Sequence, residues 1–288
     1  MTAVTLPAYA KVNLYLDVVG KRPDGYHELV TLFERIDLSD TLTLESISGS
    51  EIEVECDDPQ IPRDGTNLVV RAAQSYCKAL GTSQGYRITL KKRIPIAAGL
   101  GGGSSDAAAT LQGLQRLNGS PLPEGDLLRL AKGLGADVPF FLNTTRPLAL
   151  GRGRGDELEP LEIQLQLWHL LVFPTFPIPT KAVYEAYRLT APGPDVKLLL
   201  RALRDNHVPG TCNLLFNALE PTVEALYPAI RHVKAALKRA RLSNPIVSGS
   251  GSTVMALCVS EQEAQEAAQL LQREEPGWQL FVTRTRGS

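Results

Sequence analysis

Residues 4–19 alternate: Ala8, Ala10, Val12, Leu14, Leu16 and Val18 share one face, and Tyr9, Lys11, Asn13, Tyr15 and Asp17 share the other. A period of two over this length predicts a half-buried strand. Residues 30–38, 41–44, 51–55 and 85–90 read as further strands. Asn67 is placed to cap a helix running to Leu80 and closed by Gly81. Residues 104–117 predict a helix with Ala108, Leu111 and Leu114 inward, and Glu124–Leu134 a shorter amphipathic one. The run Gly151-Arg-Gly-Arg-Gly155 predicts a loop, with a basic phosphate contact as the competing reading. Beyond it, residues 165–173 predict a buried strand, and Thr180, Asp195 and Thr222 each open a helical pattern. Val223, Leu226, Ile230, Val233 and Leu237 form a stripe at helical spacing, with Lys234, Lys238, Arg239 and Arg241 at its C-terminal end, where the helix dipole favours cations. Residues 246–247, 254–259 and 278–283 read as strands, and Ser260 with Glu263 forms a capping box for a helix to about Arg273. Strands and helices mix without strict βαβ alternation, which predicts an α+β class.

Composition narrows this picture. The chain has 288 residues, a length that suggests two domains. Lys plus Arg is 30 and Asp plus Glu 31, a net charge of −1 that supplies no general field for nucleic acid. No apolar run approaches the length of a membrane span, and the N-terminus, interrupted by Pro7, lacks a signal pattern. Cys56, Cys77, Cys212 and Cys258 are scattered, with no CxxC pair, so reduced thiols and a cytoplasmic setting are expected. No cluster of protein metal ligands is visible.

The 24 glycines matter because they gather at Gly99–Gly103 and again at Gly249 and Gly251. In Pro95-Ile-Ala-Ala-Gly-Leu-Gly-Gly-Gly-Ser-Ser105 a strand leads in and an Ala-rich helix leads out. Glycines let backbone N–H groups approach an anion, and a helix N-terminus adds unpaired donors and partial positive charge. This predicts a phosphate site. It is not a P-loop, because no lysine follows the glycines, and not a dinucleotide loop, because Ser104 and Val254 stand where a third glycine would be needed.

Pro95–Ser105 resembles the phosphate loop of the GHMP kinases, small-molecule kinases named for galactose, homoserine, mevalonate and phosphomevalonate, with one extra glycine. Two more blocks narrow the likeness: Ala10-Lys-Val-Asn-Leu-Tyr-Leu16 followed by Arg22-Pro-Asp-Gly-Tyr-His-Glu28, and Gly135-Ala-Asp-Val-Pro-Phe-Phe141. Gly249-Ser-Gly-Ser-Thr253 fits the family's third glycine motif. The resemblance implies two α+β domains with the active site in the cleft between them. The first, at 1–154, would bind ATP and share its fold with a domain of a ribosomal protein. The second, at 155–288, would be the substrate domain, its last strand able to return to the first.

The resemblance also implies the chemistry. The ATP γ-phosphate would pass to a hydroxyl of the methylerythritol unit of a small molecule carrying cytidine diphosphate, in the non-mevalonate route to isoprenoids. Asp137 would be the catalytic acid-base residue and Lys11 its cationic partner, with Asn13 two residues along the same strand face. Tyr26, His27 and Tyr184 would hold the cytosine, and Gly249 and Ser250 the substrate. Asn67 and the lysine before the loop would lie near the adenine. Lys92 fits that lysine, with Lys91 and Arg93 as neighbours, and Asn67 reads equally as a helix cap. Pro95, Gly99, Gly101, Gly102, Gly103, Ser104 and Ser105 would cradle phosphate, and Mg²⁺ is expected with ATP. Asp106 is unfavourable beside phosphates unless a metal or lysine screens it. Another GHMP kinase, acting on mevalonate, homoserine or a sugar, is the alternative. A silent nucleotide sensor is disfavoured because the lysine, the aspartate and the loop are all intact. No membrane or nucleic-acid partner is expected, and oligomeric state stays open.

Overall fold

The computed structural model describes residues 3–143 and 145–287. Its elements in chain order are β1 (Ala3–Lys21), β2 (His27–Ile47), β3 (Ile52–Cys56), α1 (Leu68–Leu80), β4 (Gly85–Lys91), α2 (Gly102–Leu117), α3 (Glu124–Leu134), α4 (Val138–Leu142), β5 (Leu148–Arg152), β6 (Glu157–Pro160) and β7 (Trp168–Phe173). They continue as α5 (Thr180–Ala186), α6 (Val196–Arg204), α7 (Val208–Leu214), β8 (Phe216–Asn217), α8 (Glu220–Leu226), α9 (Ala229–Arg239), β9 (Ile246–Val247), β10 (Val254–Cys258), α10 (Glu261–Glu274) and β11 (Gln279–Arg284). The chain forms two compact units. One is made of Met1–Ala10, Leu38–Ile94 and Gly101–Thr144, the other of Lys11–Asp37, Pro95–Leu100 and Thr145–Ser288, each as far as it is described. Neither is continuous in sequence, because β1, β2 and the glycine loop each contribute to both.

In the first unit, β4 runs antiparallel to Thr41–Ile47 of β2 and parallel to β3. Helix α2 lies so close to this sheet that a Cβ on Gly113 would stand 2.5 Å from Leu44 Cδ1. Leu42, Leu44, Tyr76, Tyr86, Ile88, Leu90, Leu111 and Leu114 fill the core between them. Helix α1 behaves as its sequence dictates: the Asn67 side chain accepts from Val69 N, and Gly81 closes the helix at φ 67°.

The second unit holds a four-stranded antiparallel sheet in the order β11-β7-β10-β9. Its core joins Leu170, Val172, Val183, Val223, Ile230, Val233, Leu237 and Leu271 with Leu16 and Val18 of β1. Strand β8 pairs in parallel with β1 at Tyr15 and Leu16, and β5 pairs with Thr31–Glu34 of β2. Beyond β11, Thr285 bridges to Ile36, and Arg286 N donates to Arg35 O at 2.8 Å.

Three differences from the sequence reading have local causes. The two strands read at 30–38 and 41–44 are one strand, β2, which carries Asp40 buried within it. The stripe from Val223 to Leu237 is two helices, because Pro228 breaks the ladder and leaves Leu226 45% exposed. Helix α2 starts at Gly102 rather than 104. The glycine-arginine run, in contrast, is a loop as expected: it forms the turn of the β5–β6 hairpin, with Gly153 and Gly155 at φ 65° and 95°. The short elements α4, α7, β5 and β6 carry too few periodic positions to be read from sequence.

Candidate active site

In the second unit, the polar face of β1 gathers the first group. Lys11 is buried at 4% exposure, and its Nζ donates to Asn13 Oδ1 at 2.6 Å and to Gly99 O at 3.0 Å. Asn13 Nδ2 donates to Thr31 Oγ1 at 2.8 Å, and Thr31 donates onward to Tyr15 O. That chain fixes which end of the amide faces the ammonium, since only the carbonyl can accept from a lysine. Gly249 completes the group: a Cβ there would lie 3.2 Å from Asn13 Oδ1 and 3.3 Å from Lys11 Nζ.

The first half of the glycine loop is clamped to the second glycine turn. Ile178 N donates to Ala97 O, Thr253 N to Ala98 O, and Ser248 Oγ to Gly99 O. Gly99 has φ +78°, and a Cβ on it would stand 2.0 Å from Ser248 O. Only glycine permits backbone to meet backbone this closely. Asn217, 4% exposed, donates from one amide nitrogen to both Val247 O and Gly249 O at 2.8 Å and so fixes that turn. Ser250 Oγ and Thr180 Oγ1 are 2.8 Å apart.

In the first unit, Gly101 at φ 71° is the N-cap of α2 and offers no side-chain cap. The N–H groups of the first turn are therefore not capped by a side chain and suit an anion. Gly103 is exposed, and a Cβ on it would lie 3.8 Å from Leu68 Cδ1, so the start of α1 borders the loop. Ser105 Oγ is spent on Tyr9 O at 2.6 Å. Ser104 is half-buried, with its Oγ 3.9 Å from a Cβ built on Gly135, the residue that opens the Gly-Ala-Asp137 block. Asp137 occupies the N-cap position of α4, yet its side chain makes no capping bond.

Lys92 faces inward. Its side chain is 6% exposed, and Nζ lies 2.5 Å from Asp40 Oδ2 and 2.8 Å from Asp106 Oδ2. Burial alone would lower its pKa, but the two carboxylates outweigh that and raise it. Asp40 Oδ1 accepts from Arg93 N and Ile94 N, tying the strand end to the same carboxylate. Asp106 is pushed up by burial and by Asp40, against the pull of Lys92. Its Oδ1 has no hydrogen-bond partner. Both ends of the Asn67 amide are engaged: Nδ2 donates to Pro62 O at 2.7 Å while Oδ1 caps α1.

The aromatic group belongs to the second unit. The His27 ring is 5.2 Å from that of Tyr184 at an interplanar angle of 36°, and 6.1 Å from the edge-on Tyr187. Burial first and Lys21 second lower the His27 pKa, which keeps the imidazole neutral at pH 7. Tyr26 is 55% exposed.

The GHMP kinases N terminal domain matches residues 67–144, and the GHMP kinases C terminal domain matches residues 181–276. A relative from Citrifermentans bemidjiense, named 4-diphosphocytidyl-2-C-methyl-D-erythritol kinase, is 40% identical over 99% of this chain and all of its own. A crystal structure of a 4-(cytidine 5'-diphospho)-2C-methyl-D-erythritol kinase superposes with a TM-score of 0.82 at 38% identity, covering 99% of this chain and 100% of that one. The chain belongs to the GHMP kinase family. Homoserine kinase from Cytophaga hutchinsonii, at 21% identity and a TM-score of 0.78 over 100% of this chain and 95% of its own, shares the fold.

As a GHMP kinase the protein is an ATP-dependent small-molecule kinase. The motif residues found by sequence fall into two groups of this GHMP fold. Lys11, Asn13, Gly99, Gly249 and Ser250 lie together in one unit; elsewhere in it the His27 and Tyr184 rings meet, and Tyr26 belongs to the same unit. Gly101–Ser105, Asn67, Lys92 and Asp137 belong to the other unit. Sequence reasoning missed Asp40 and Asn217. The charge of Asp106 called for a nearby lysine, but nothing in the sequence marked Asp40 as the second carboxylate on it. Nothing in the sequence marked Asn217. Among the described residues no group of three His, Cys, Asp or Glu stands ready for a metal, and no helix is long and apolar enough to cross a membrane.

Proposed function

We propose that this kinase transfers the γ-phosphate of ATP to a hydroxyl of 4-diphosphocytidyl-2-C-methyl-D-erythritol, the compound for which its relatives of 40% identity are named. The observation that carries this reading is the His27–Tyr184 ring pair. A cytosine needs a flat apolar wall and a polar edge reader, and a neutral imidazole beside a phenol supplies both. Mevalonate and homoserine have no ring to stack.

The acceptor hydroxyl oxygen forms the new bond to the γ-phosphorus while the bond to the β,γ-bridging oxygen breaks and ADP leaves. The hydroxyl proton goes to the Asp137 carboxylate and then to solvent. In a loose transition state the hydroxyl acidifies late, so an ordinary carboxylate suffices as base. The Lys11 ammonium, aimed by Asn13 and Gly99 O, stabilises charge on the transferring group. The backbone of Gly101, Gly102 and Gly103 at the first turn of α2 would hold ATP phosphate, and the Ser104 hydroxyl would be the protein ligand for Mg²⁺, which would supply neutralisation of phosphate charge when bound. Lys92 supports this turn from beneath, through Asp106.

The test is turnover with ATP and, separately, the cytidylylated methylerythritol, mevalonate and homoserine, with the product read by phosphorus NMR. Phosphorylation of the first alone is expected. Equal or better turnover of mevalonate or homoserine overturns the assignment.

A further inference from the structure

One arginine of the Gly151-Arg-Gly-Arg-Gly155 run has a specific neighbour. The Arg154 guanidinium carbon stands 5.1 Å from the centre of the Tyr26 ring. Arg154 is itself held: its Nη2 donates to Asp156 Oδ2 at 2.6 Å, and the Asp156 side chain is 11% exposed. The turn that carries it is fixed at both ends. Gly155 N donates to Arg152 O at 2.9 Å, and Leu29 N donates to Gly153 O at 2.7 Å, which ties the turn to the start of β2, next to Tyr26. Gly153 and Gly155 have positive φ, so the tight turn that projects Arg154 depends on them.

Tyr26 gains little else to fix its ring. Its backbone is held, with the N–H donating to Asp24 Oδ1 at 3.1 Å and the carbonyl accepting from Arg22 N at 2.8 Å, but its ring is the most exposed of the three aromatic candidates. A half-exposed phenol that must stack on a base loses rotamer freedom on binding, and a group that fixes the ring beforehand removes that cost. An arginine plane over one aromatic face does this, and it leaves the opposite face for a ligand.

We propose that Arg154 is a positioning residue for the pyrimidine: it backs Tyr26 so that the free face of the ring is presented to the cytosine. This rests on the reading of Tyr26 as part of the cytosine subsite. Arg154 touches the tyrosine and not the base.

The test measures KM and kcat for the cytidylylated substrate, KM for ATP, and inhibition constants for cytidine and for CDP, in Arg154→Gln, Arg154→Lys and Tyr26→Ala. Expected for Arg154→Gln is a rise of about 5- to 20-fold in substrate KM, with kcat and ATP KM within about 2-fold, consistent with the size of a cation–π contact. The inhibition constants of cytidine and CDP rise by the same factor, and Arg154→Lys restores part of the loss. A rise for CDP without one for cytidine makes Arg154 a phosphate ligand and overturns the proposal. So does an unchanged substrate KM in Arg154→Gln while Tyr26→Ala raises it. If Tyr26→Ala leaves cytidine inhibition unchanged, the cytosine subsite itself has been misplaced and the proposal falls with it.

Discussion

Asp106 holds its Oδ2 2.8 Å from the Lys92 ammonium and still has its pKa pushed up, to about 7. Burial is the main cause, and one buried cation serving two buried carboxylates, Asp40 and Asp106, adds an excess of negative charge. In an unfolded chain an aspartate titrates near 3.9. Between that value and its folded value, the folded protein keeps a proton that the unfolded chain has lost, so this group lowers stability as pH rises through the window. Asp106→Asn removes the titration and leaves Lys92 paired with Asp40. The variant is therefore expected to gain on the parent between pH 4.5 and 8 by at least about 1 kcal/mol, read from urea midpoints. A stability difference that stays flat across that range would dismiss the account.

Lys92 is the other half of the argument. Lys92→Met leaves the buried Asp40 and Asp106 without their cation, which costs on the order of 3–5 kcal/mol. A Lys92 side chain that served only to touch nucleotide would cost little stability when removed. Thermal unfolding of the ligand-free protein separates the two: a large fall in Tm is expected, and a fall of only a degree or two would return Lys92 to the nucleotide.

The glycine motifs were legible because they are local. A run of small residues between a strand and a helix states its own geometry, and the Asn67 and Ser260 caps do the same. The Asp40–Lys92–Asp106 group was not legible, since its members come from β2, the end of β4 and α2, and only the fold brings them together. Asn217 was hidden for the same reason: it acts on Val247 and Gly249 from a two-residue strand with no periodic signal. The stripe at Val223–Leu237 misled because spacing survives a break. Pro228 interrupts the ladder while the apolar positions on either side keep a helical interval.

Gly99 and Gly119 offer a matched comparison. Both have positive φ, but a Cβ at Gly119 meets nothing within 4 Å, whereas one at Gly99 meets Ser248 O at 2.0 Å. Gly119→Ala is expected to cost about 1–2 kcal/mol of backbone strain alone. Gly99→Ala adds an overlap that must push the two glycine turns apart, for roughly 1–3 kcal/mol more. It is also expected to lower kcat, because Gly99 O is one of the acceptors that aim Lys11 at the transferring group. Equal destabilisation by the two substitutions would show that the turns do not need their close approach.

His27 sets a pH dependence for substrate binding. Its pKa is lowered by burial and then by Lys21, so the ring is neutral through the physiological range and charges only at more acid pH than an ordinary histidine. A protonated imidazole has lost its acceptor and can only donate. Cytidine affinity is expected to hold from pH 8 down to the ordinary histidine range and to fall below it. His27→Gln, which keeps an acceptor and does not titrate, is expected to flatten that profile. A profile unaltered by the substitution would assign the acid limb to another group.

Asp137 bears the heaviest catalytic expectation. It stands at the N-cap position of α4 without using its carboxylate as a cap, so its replacement by asparagine need not unfold the helix. The phosphate loop lies on α2 and draws its donors from backbone, which the substitution leaves in place. Asp137→Asn is therefore expected to lower kcat by about 100-fold or more, in line with the loss of a general base, while the dissociation constant for ATP stays within a few-fold. Calorimetric titration with a non-hydrolysable ATP analogue checks the second half. Near-normal turnover in the variant would remove Asp137 from the proton path and leave Lys11 and the loop to act by positioning and charge alone.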